Sequence, residues 1–163
     1  MITMDQVGAT NNGKPIKAVV FDYGRTLYDR DNSDFFPETS DVLEYLYPKY
    51  ILSIVSIATE KDPPENRIRA LKEKDFLKYF RHTLFHSSDK DHLFAYLLNQ
   101  LDVNPDEVAV VDDRVFRGIA WGNKHGAMTV WLRGGKFADE LPNSKTGEPS
   151  YTIENLLSLK DLL

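Results

Sequence analysis

The sequence predicts an α/β fold in which helices cover both faces of a mostly parallel sheet. Short runs rich in Val, Ile and Phe alternate with helical patterns along the chain, which is typical of this class. The runs are apolar on both faces, as are strands inside a parallel sheet. A length of 163 residues, with 42% hydrophobic and 28% charged residues, suits one globular domain. We expect a flexible N-terminal tail at residues 1–16 and a single domain at residues 17–163.

Five apolar runs predict the strands of this sheet. The first run, "KAVVFD", is apolar on both faces, so we expect it at the centre of the sheet. The later runs are also rich in β-branched and aromatic residues, which favour strands. In chain order, the predicted strands are residues 17–22, 50–57, 82–87, 108–113 and 128–133.

Apolar residues at helical spacing predict the segments between the strands. Val42 and Leu46, for example, share one face of the first helix. In the second helix, we expect Asp62 to cap the N-terminus and Pro63 to take the first helical position. The fourth helix should end at Gly126. In chain order, the predicted helices are residues 37–47, a helix from about residue 63, and residues 87–101, 115–126 and 153–163.

The composition excludes several classes of protein. Because the chain has no Cys, it has no disulfides, thiolate metal sites or cysteine nucleophiles. A net charge of −5 provides no basic field, so we expect no nucleic acid partner. The longest apolar stretch, residues 50–58, is far shorter than the ~20 residues of a membrane span, so we expect no membrane association. We predict a cytoplasmic protein, and the sequence leaves its oligomeric state open.

The candidate functional residues stand at the carboxyl ends of the predicted strands, where parallel sheets bind ligands. Asp22, Ser56, Asp112 and Asp113 lie at or near strand ends, and Lys90 begins the third helix. A carboxylate such as that of Asp22 can attack phosphorus if a cation neutralises the two approaching anions. Mg²⁺ needs few protein carboxylates, so Asp22 and Asp113 could hold it. The sequence therefore predicts phosphoryl transfer.

Each of these residues also has an ordinary structural interpretation. Asp22 could open a turn, and Asp113 could be a solvated strand end. A cation in the first turn of a helix opposes the helix dipole by roughly 0.3–1 kcal/mol, a cost that a phosphate near Lys90 would offset. Lys90 could instead face solvent, and Ser56 could bond to nearby backbone groups. The joint occurrence of acids at the ends of two apolar strands favours the phosphoryl-transfer interpretation.

Four segments resemble, in order and spacing, the motifs of the haloacid dehalogenase-like superfamily. They are "VVFDYGRTL" at residues 19–27, Ser56, Lys90 and "VVDDR" at residues 110–114. The resemblance implies a three-layer Rossmann-like core. The intervals between the motifs are too short to hold the large cap domains of many relatives, so we expect an open site.

The resemblance also implies roles for individual residues. Asp22 is the implied nucleophile, which forms an aspartyl-phosphate, and Ser56 and Lys90 are the implied phosphate-binding residues. Asp22, the carbonyl of Gly24 and Asp113 are the implied ligands of Mg²⁺. The implied partner is a phosphorylated small molecule or macromolecule.

Three residues depart from the pattern of the superfamily. Two positions after the nucleophile, its phosphatases have an acid that protonates the leaving group and then activates water, and here that residue is Gly24. The next position, often Gly, is Arg25, which could face the phosphate or anchor the loop. Four positions after Asp113, where Asp or Asn usually supports the metal, the chain has Arg117. These departures predict weak or unusual turnover.

The leading interpretation is a Mg²⁺-dependent phosphatase of weak or unusual activity, in which Asp29 or Asp31 could supply acid–base help. One alternative is a binding or regulatory protein that recognises a phosphorylated ligand without turning it over, with contacts from the loop that carries Phe35 and Phe36. Another is a dehalogenase-type hydrolase that needs no metal. Turnover of a phosphate ester with Mg²⁺ distinguishes the phosphatase from the binding protein.

Overall fold

The computed structural model describes residues 8–86 and 88–163. Its strands are β1 (Thr10–Asn11), β2 (Lys14–Pro15), β3 (Ala18–Phe21), β4 (Tyr28–Asp29), β5 (Asp34–Phe35), β6 (Ile51–Ile57), β7 (Phe80–His86), β8 (Val108–Asp112), β9 (Met128–Leu132) and β10 (Tyr151–Ile153). Six of them form one sheet in the order β10-β9-β8-β3-β6-β7, and every neighbouring pair is parallel.

Strand β3 lies at the centre of the sheet, as predicted from its apolar faces. All four of its residues are buried. Phe21 is paired with Ile54 of β6 on one side and with Val111 of β8 on the other. Because all three strands run in the same direction, Asp22, Ser56 and Asp112 reach the same edge of the sheet.

The helices form a layer on each face of the sheet, which confirms the three-layer α/β fold. They are α1 (Thr39–Leu46), α2 (Pro64–Glu73), α3 (Asp91–Leu101), α4 (Ala120–His125) and α5 (Leu159–Leu162). Buried residues of α1, α2 and α5 belong to one apolar cluster, and those of α3 and α4 belong to a second cluster on the opposite face. Helix α4 ends at Gly126, as predicted, in a left-handed conformation with φ of 85°.

The prediction that Asp62 caps α2 is wrong. Pro63 is the residue that precedes the helix, and no side chain caps this N-terminus. The Asp62 carboxylate instead accepts a hydrogen bond from Arg67 Nε at 3.1 Å, and the Asp62 carbonyl accepts a longer one at 3.3 Å. Competition from a buried arginine thus draws Asp62 away from the backbone amides.

The C-terminal helix is shorter than the sequence predicts. Residues 151–153 form β10, and a 3₁₀ turn at Leu156–Ser158 precedes α5. Thr152 and Ile153 pair with Trp131 and Leu132 at the edge of the sheet. Helical periodicity alone does not reveal this pairing, because it depends on a strand about 20 residues away in the sequence.

The segment predicted as a tail is described only in part. Residues 1–7 lie outside the described residues. After them, β1 and β2 form a hairpin, and Ile16 is buried in the core. The backbone amide of Ala9 also donates a hydrogen bond to the Tyr50 hydroxyl at 2.8 Å.

Only a small insertion follows the nucleophile candidate. Strands β4 and β5 form an antiparallel hairpin, and Phe35 from it is buried against Tyr23 and Phe76. Phe35 is therefore a core residue rather than a contact for a partner. Among the described residues, no large cap domain is inserted between Asp22 and Lys90. No helix in the described part of the chain is long and apolar enough to cross a membrane.

Candidate active site

The structure brings the predicted site residues together at the carboxyl edge of the sheet. Asp22 follows β3 directly, Ser56 is the next-to-last residue of β6, and Lys90 immediately precedes α3. Ser56 Oγ donates a hydrogen bond to Asp22 Oδ1 at 2.7 Å, and Lys90 Nζ donates to the same oxygen at 3.0 Å. A carboxylate, a hydroxyl and an ammonium group therefore meet at one point.

Lys90 is buried rather than solvent-facing. Its side chain is 3% exposed and also contacts Asp112 Oδ2 at 2.8 Å. Burial alone would lower the pKa of Lys90, but the carboxylates of Asp112 and Asp22 outweigh it, so the pKa lies above its ordinary value. The ammonium group therefore stays charged between the two acids.

Asp22 remains an anion in spite of its burial. Burial alone would raise the pKa of Asp22, but the charge of Lys90 and the hydrogen bond from Ser56 hold it below its ordinary value. The hydroxyl of Thr26 lies within 3.4 Å of Asp22 and 3.5 Å of Asp113, which makes two long contacts. An ionised carboxylate is the form that a nucleophile requires.

Asp112 is held by the backbone that follows it. Its carboxylate accepts hydrogen bonds from the amides of Arg114 at 3.0 Å and Gly118 at 2.9 Å. A β-carbon at position 118 would lie 2.5 Å from Asp112 Oδ2, so only glycine permits this approach. The fourth predicted helix is interrupted here, because a π-type turn at Val115–Ile119 with a non-helical backbone at Arg117 precedes α4.

The residues present fit a divalent cation. Asp22, Asp112 and Asp113 are all buried and offer oxygen atoms within 4.8 Å of one another. Asp112 is already bonded to Lys90 and two amides, whereas Asp113 Oδ2 is buried without a hydrogen-bond partner among the described residues. Burial and the neighbouring acids raise the pKa of Asp113 to about 10. Without a cation this carboxyl group is held in its neutral form, and a hard dication between Asp22 and Asp113 would stabilise its ionised form.

The sequence did not single out Arg67, although the structure places this residue at the site. Its side chain, on α2, is 1% exposed and its Nη1 donates to Ser56 Oγ at 2.9 Å. The guanidinium group lies over the ring of Tyr23, 5.0 Å from the ring centroid, and its Nε contacts Asp62. A single arginine in an amphipathic helix has no spacing signal that would have identified it as buried.

Arg30 occupies the space beside Gly24 where a side chain would otherwise stand. A β-carbon at position 24 would lie 2.6 Å from Arg30 Nε. Arg30 itself pairs with Asp62 at 3.4 Å. The sequence offered two interpretations of Arg25, contact with the phosphate or anchoring of the loop. Its pairing with Asp31 at 3.3 Å agrees with the anchoring role. Its backbone is left-handed, with φ of 62°.

A cavity of about 300 Å³ opens above Asp22, and its lining includes six basic residues. Asp22 and Asp113 are the only carboxylates among the described residues that line it. Arg117 lies on its exposed rim, where the superfamily usually has an acid or amide. The basic residues of the lining are Arg25, Arg30, Arg67, Arg114, Arg117 and Lys136.

Asp29 and Asp31 do not line this cavity. They line a neighbouring cavity of about 320 Å³. Asp29 accepts hydrogen bonds from the backbone amides of Asp31 and Asn32, at 3.0 and 3.3 Å, and so holds the loop in place. In this arrangement neither acid is placed to exchange a proton with a group bound at Asp22.

The chain is similar in sequence to one family of phosphatases and to individual phosphatases. The family described as "Mitochondrial PGP phosphatase" matches residues 2–136. The chain is 30% identical over 144 residues to "Phosphatidylglycerophosphatase GEP4, mitochondrial" of Saccharomyces cerevisiae, which covers 85% of this chain and 78% of that protein. It is 29% identical over 114 residues to a glyceraldehyde 3-phosphate phosphatase of Pyrococcus furiosus, which covers 68% of this chain and 47% of that protein.

A solved structure has the same fold. The HAD phosphatase from Thermococcus onnurineus matches with a TM-score of 0.68 and 19% identity, over 90% of this chain and 97% of that one. HAD abbreviates haloacid dehalogenase, the superfamily that the four sequence motifs resemble. The fold predicted from those motifs is therefore confirmed.

Proposed function

Because the chain belongs to the family described as "Mitochondrial PGP phosphatase", within the haloacid dehalogenase-like superfamily, we propose that it is a Mg²⁺-dependent phosphatase with Asp22 as its nucleophile. The observation that carries the proposal is the contact of one Asp22 oxygen with both Ser56 Oγ and Lys90 Nζ. This contact places a buried, ionised carboxylate among donors that suit phosphoryl oxygens.

Each residue has a defined task in the proposed reaction. Asp22 attacks phosphorus and becomes an aspartyl-phosphate. The ammonium group of Lys90 uses two of its three donors on Asp22 and Asp112, so one donor is left for a phosphoryl oxygen. The Ser56 hydroxyl, which already accepts a hydrogen bond from Arg67, can turn its proton from Asp22 to the phosphoryl group.

The proposed metal site includes Asp113, whose Oδ2 atom is buried without a hydrogen-bond partner among the described residues. We propose that Asp22, the Gly24 carbonyl and Asp113 hold Mg²⁺, as the resemblance implies. When bound, the ion supplies positive charge that lets two anions approach each other. Asp112 keeps its bonds to Lys90 and to the amides of Arg114 and Gly118, so it fixes Lys90 instead of binding the ion.

The proposed substrate is a phosphorylated compound. The cationic lining of the cavity supports an anionic substrate. The names of the relatives make phosphatidylglycerophosphate and glyceraldehyde 3-phosphate the first compounds to test. The cytoplasmic location and the absence of a nucleic acid partner stay predictions from the sequence.

Acetyl phosphate is expected to phosphorylate Asp22 covalently. The proposed attack forms an acyl phosphate, and the absence of an acid at Gly24 should slow its hydrolysis more than its formation. Mass spectrometry after incubation with acetyl phosphate and Mg²⁺ should locate the added phosphoryl group on the peptide that contains Asp22. Asp22→Asn should remain unmodified and should lose phosphatase activity by on the order of 10⁴-fold or more. Modification at another residue would contradict the proposal.

Mg²⁺ is expected to raise the melting temperature of the protein, since a ligand that binds only the folded state stabilises it by mass action. Asp113→Asn should abolish most of this rise because it removes one of the two carboxylates proposed to hold the ion. Scanning calorimetry with and without millimolar Mg²⁺ measures the effect. Asp106→Asn, at an acid that pairs with Lys14 far from the site, should keep the full rise. An unchanged melting curve for the parent protein would indicate that Arg117 has taken the place of the metal.

A non-catalytic binding protein is the second candidate. The observation that favours it is the arginine beside Gly24, where the superfamily has an acid. Such a protein would bind a phosphorylated ligand but release no phosphate from any ester or acyl phosphate. A metal-independent dehalogenase is distinguished by a different result, because its activity would survive chelation of divalent ions.

A further inference from the structure

We propose that Arg67 is a positioning residue that keeps the proton of the Ser56 hydroxyl directed at Asp22 or at a bound phosphoryl group. The proposal rests on the proposed function, because it takes Asp22 as the nucleophile and Ser56 as a phosphate-binding residue. The evidence for it is a continuous series of hydrogen bonds that runs from Asp62 through Arg67 and Ser56 to Asp22.

The Ser56 hydroxyl has hydrogen-bond partners on two sides. Arg67 Nη1 lies 2.9 Å from Ser56 Oγ, and Ser56 Oγ lies 2.7 Å from Asp22 Oδ1. A guanidinium group has donors and no acceptor, whereas a hydroxyl has a single proton and can also accept. The Ser56 proton therefore cannot point at Arg67. It points at Asp22, or at a phosphoryl oxygen that replaces Asp22 as the acceptor.

The guanidinium group of Arg67 is fixed in place by contacts on several sides. Its Nε donates to the Asp62 carboxylate at 3.1 Å and to the Asp62 carbonyl at 3.3 Å. The group also lies over the rings of Tyr23 and Phe85, at 5.0 and 5.6 Å from their centroids. Because the side chain is buried among these partners, its donor to Ser56 has a defined position.

The stability of the fold alone does not account for this buried charge. Asp62 is the only acid that pairs with Arg67 among the described residues, and it is 24% exposed and also pairs with Arg30. An apolar side chain of similar volume often stabilises a protein at least as well as a buried ion pair does. Such a side chain would supply no donor to Ser56 Oγ. That donor is what the site gains from an arginine at this position of α2.

The direction of the Ser56 proton connects phosphate binding with attack. In the structure, Asp22 Oδ1 accepts hydrogen bonds from both Ser56 and Lys90. Hydrogen bonds to a carboxylate stabilise its charge and so make it a weaker nucleophile. When the Ser56 proton turns to a phosphoryl oxygen, Asp22 loses one of these bonds, while Arg67 continues to polarise the hydroxyl group. The same movement then binds the phosphoryl group and makes Asp22 more reactive.

Binding of beryllofluoride, which mimics a phosphoryl group on a carboxylate, tests the proposal without turnover. Titration calorimetry with Mg²⁺ measures its affinity for the parent, Ser56→Ala, Arg67→Met and the variant with both changes. Ser56→Ala should weaken binding by about 10-fold or more, and Arg67→Met by about 3- to 10-fold, the effect of one hydrogen bond. Because Arg67 acts through Ser56, Arg67→Met should cause no further loss in the Ser56→Ala protein.

Three further variants separate positioning from a general effect on the fold. Arg67→Lys keeps a donor, so it should recover part of the affinity that Arg67→Met loses. Asp62→Asn removes the charge that holds Arg67 at a partly exposed position, and it should weaken binding by a smaller factor, only while the Ser56 hydroxyl is present. If Arg67→Met does not fold, this comparison decides. Arg69→Gln, at an exposed arginine on α2, should bind beryllofluoride as the parent does.

Two results would overturn this proposal alone, since in both the parent still binds beryllofluoride. An equal loss from Arg67→Met with and without the Ser56 hydroxyl would show that Arg67 does not act through Ser56. Unchanged binding in Arg67→Met would show that Ser56 keeps its proton in place without Arg67. If the parent binds no beryllofluoride in the presence of Mg²⁺, the proposed function fails, and this proposal fails with it.

Discussion

Gly24→Asp combined with Arg30→Ala is expected to raise the hydrolysis of glycerol 3-phosphate by about 10²- to 10⁴-fold, the usual contribution of a positioned general acid. Gly24→Asp alone should give little gain. The new side chain would meet Arg30, whose Nε lies 2.6 Å from the position of the added β-carbon. An ion pair with that guanidinium would keep the carboxyl group ionised, so it could not donate a proton.

The matched control is Gly24→Asn combined with Arg30→Ala. This variant has nearly the same shape but no acid, so it should show no gain. Steady-state rates are measured for Gly24→Asp and for the two double variants, beside the parent protein. The melting temperature with and without Mg²⁺ shows whether each variant binds the ion. If the aspartate variant folds, binds Mg²⁺ and is still no faster than the parent, the missing acid is not what limits turnover, and the binding protein becomes the better interpretation.

Lys90→Met is expected to lower the free energy of unfolding by about 3–5 kcal/mol, the cost of leaving buried charges without their partner. The Lys90 ammonium group contacts both Asp22 and Asp112, and all three side chains are buried. Methionine fills a similar volume, so the loss should come from charge and not from packing. Urea denaturation measures it.

Lys124→Met provides the control for this prediction. Lys124 is exposed on α4, and its substitution should change the free energy of unfolding by no more than about 0.5 kcal/mol. Equal, small effects for both variants would mean that Lys90 contributes nothing to the balance of charge in the folded protein. That result would also remove the basis for its proposed contact with phosphate.

The sequence predicts the fold because both of its main signals are local. Apolar runs identify the strands, and an Asp directly after the most apolar run identifies the sheet edge where the site lies. Lys90 could be singled out because a cation at the start of a helix is electrostatically unfavourable. In the structure, the carboxylates of Asp22 and Asp112 lie beside its ammonium group, and its contact with phosphate stays a prediction.

Arg30, Arg67 and Asp62 could not be predicted in the same way. The two arginines look like ordinary surface residues and Asp62 looks like a helix cap, and their positions depend on contacts that these local patterns do not show. Arg67 reaches Ser56, and Arg30 and Arg67 share Asp62. The strand β10 was missed for the same reason, since its partner β9 is separated from it by a long loop.

The central place of β3 determines when during folding the site can exist. The backbone amide of Asp22 donates a hydrogen bond to the carbonyl of Val111 at 3.0 Å. The proposed nucleophile is therefore held by a strand almost 90 residues further along the chain. Closing a loop of this length is slow, because the chain loses conformational entropy before the native contacts form. During synthesis the strand that carries Asp22 therefore keeps one open edge until β8 has emerged, and for that time it is exposed to pairing with other chains.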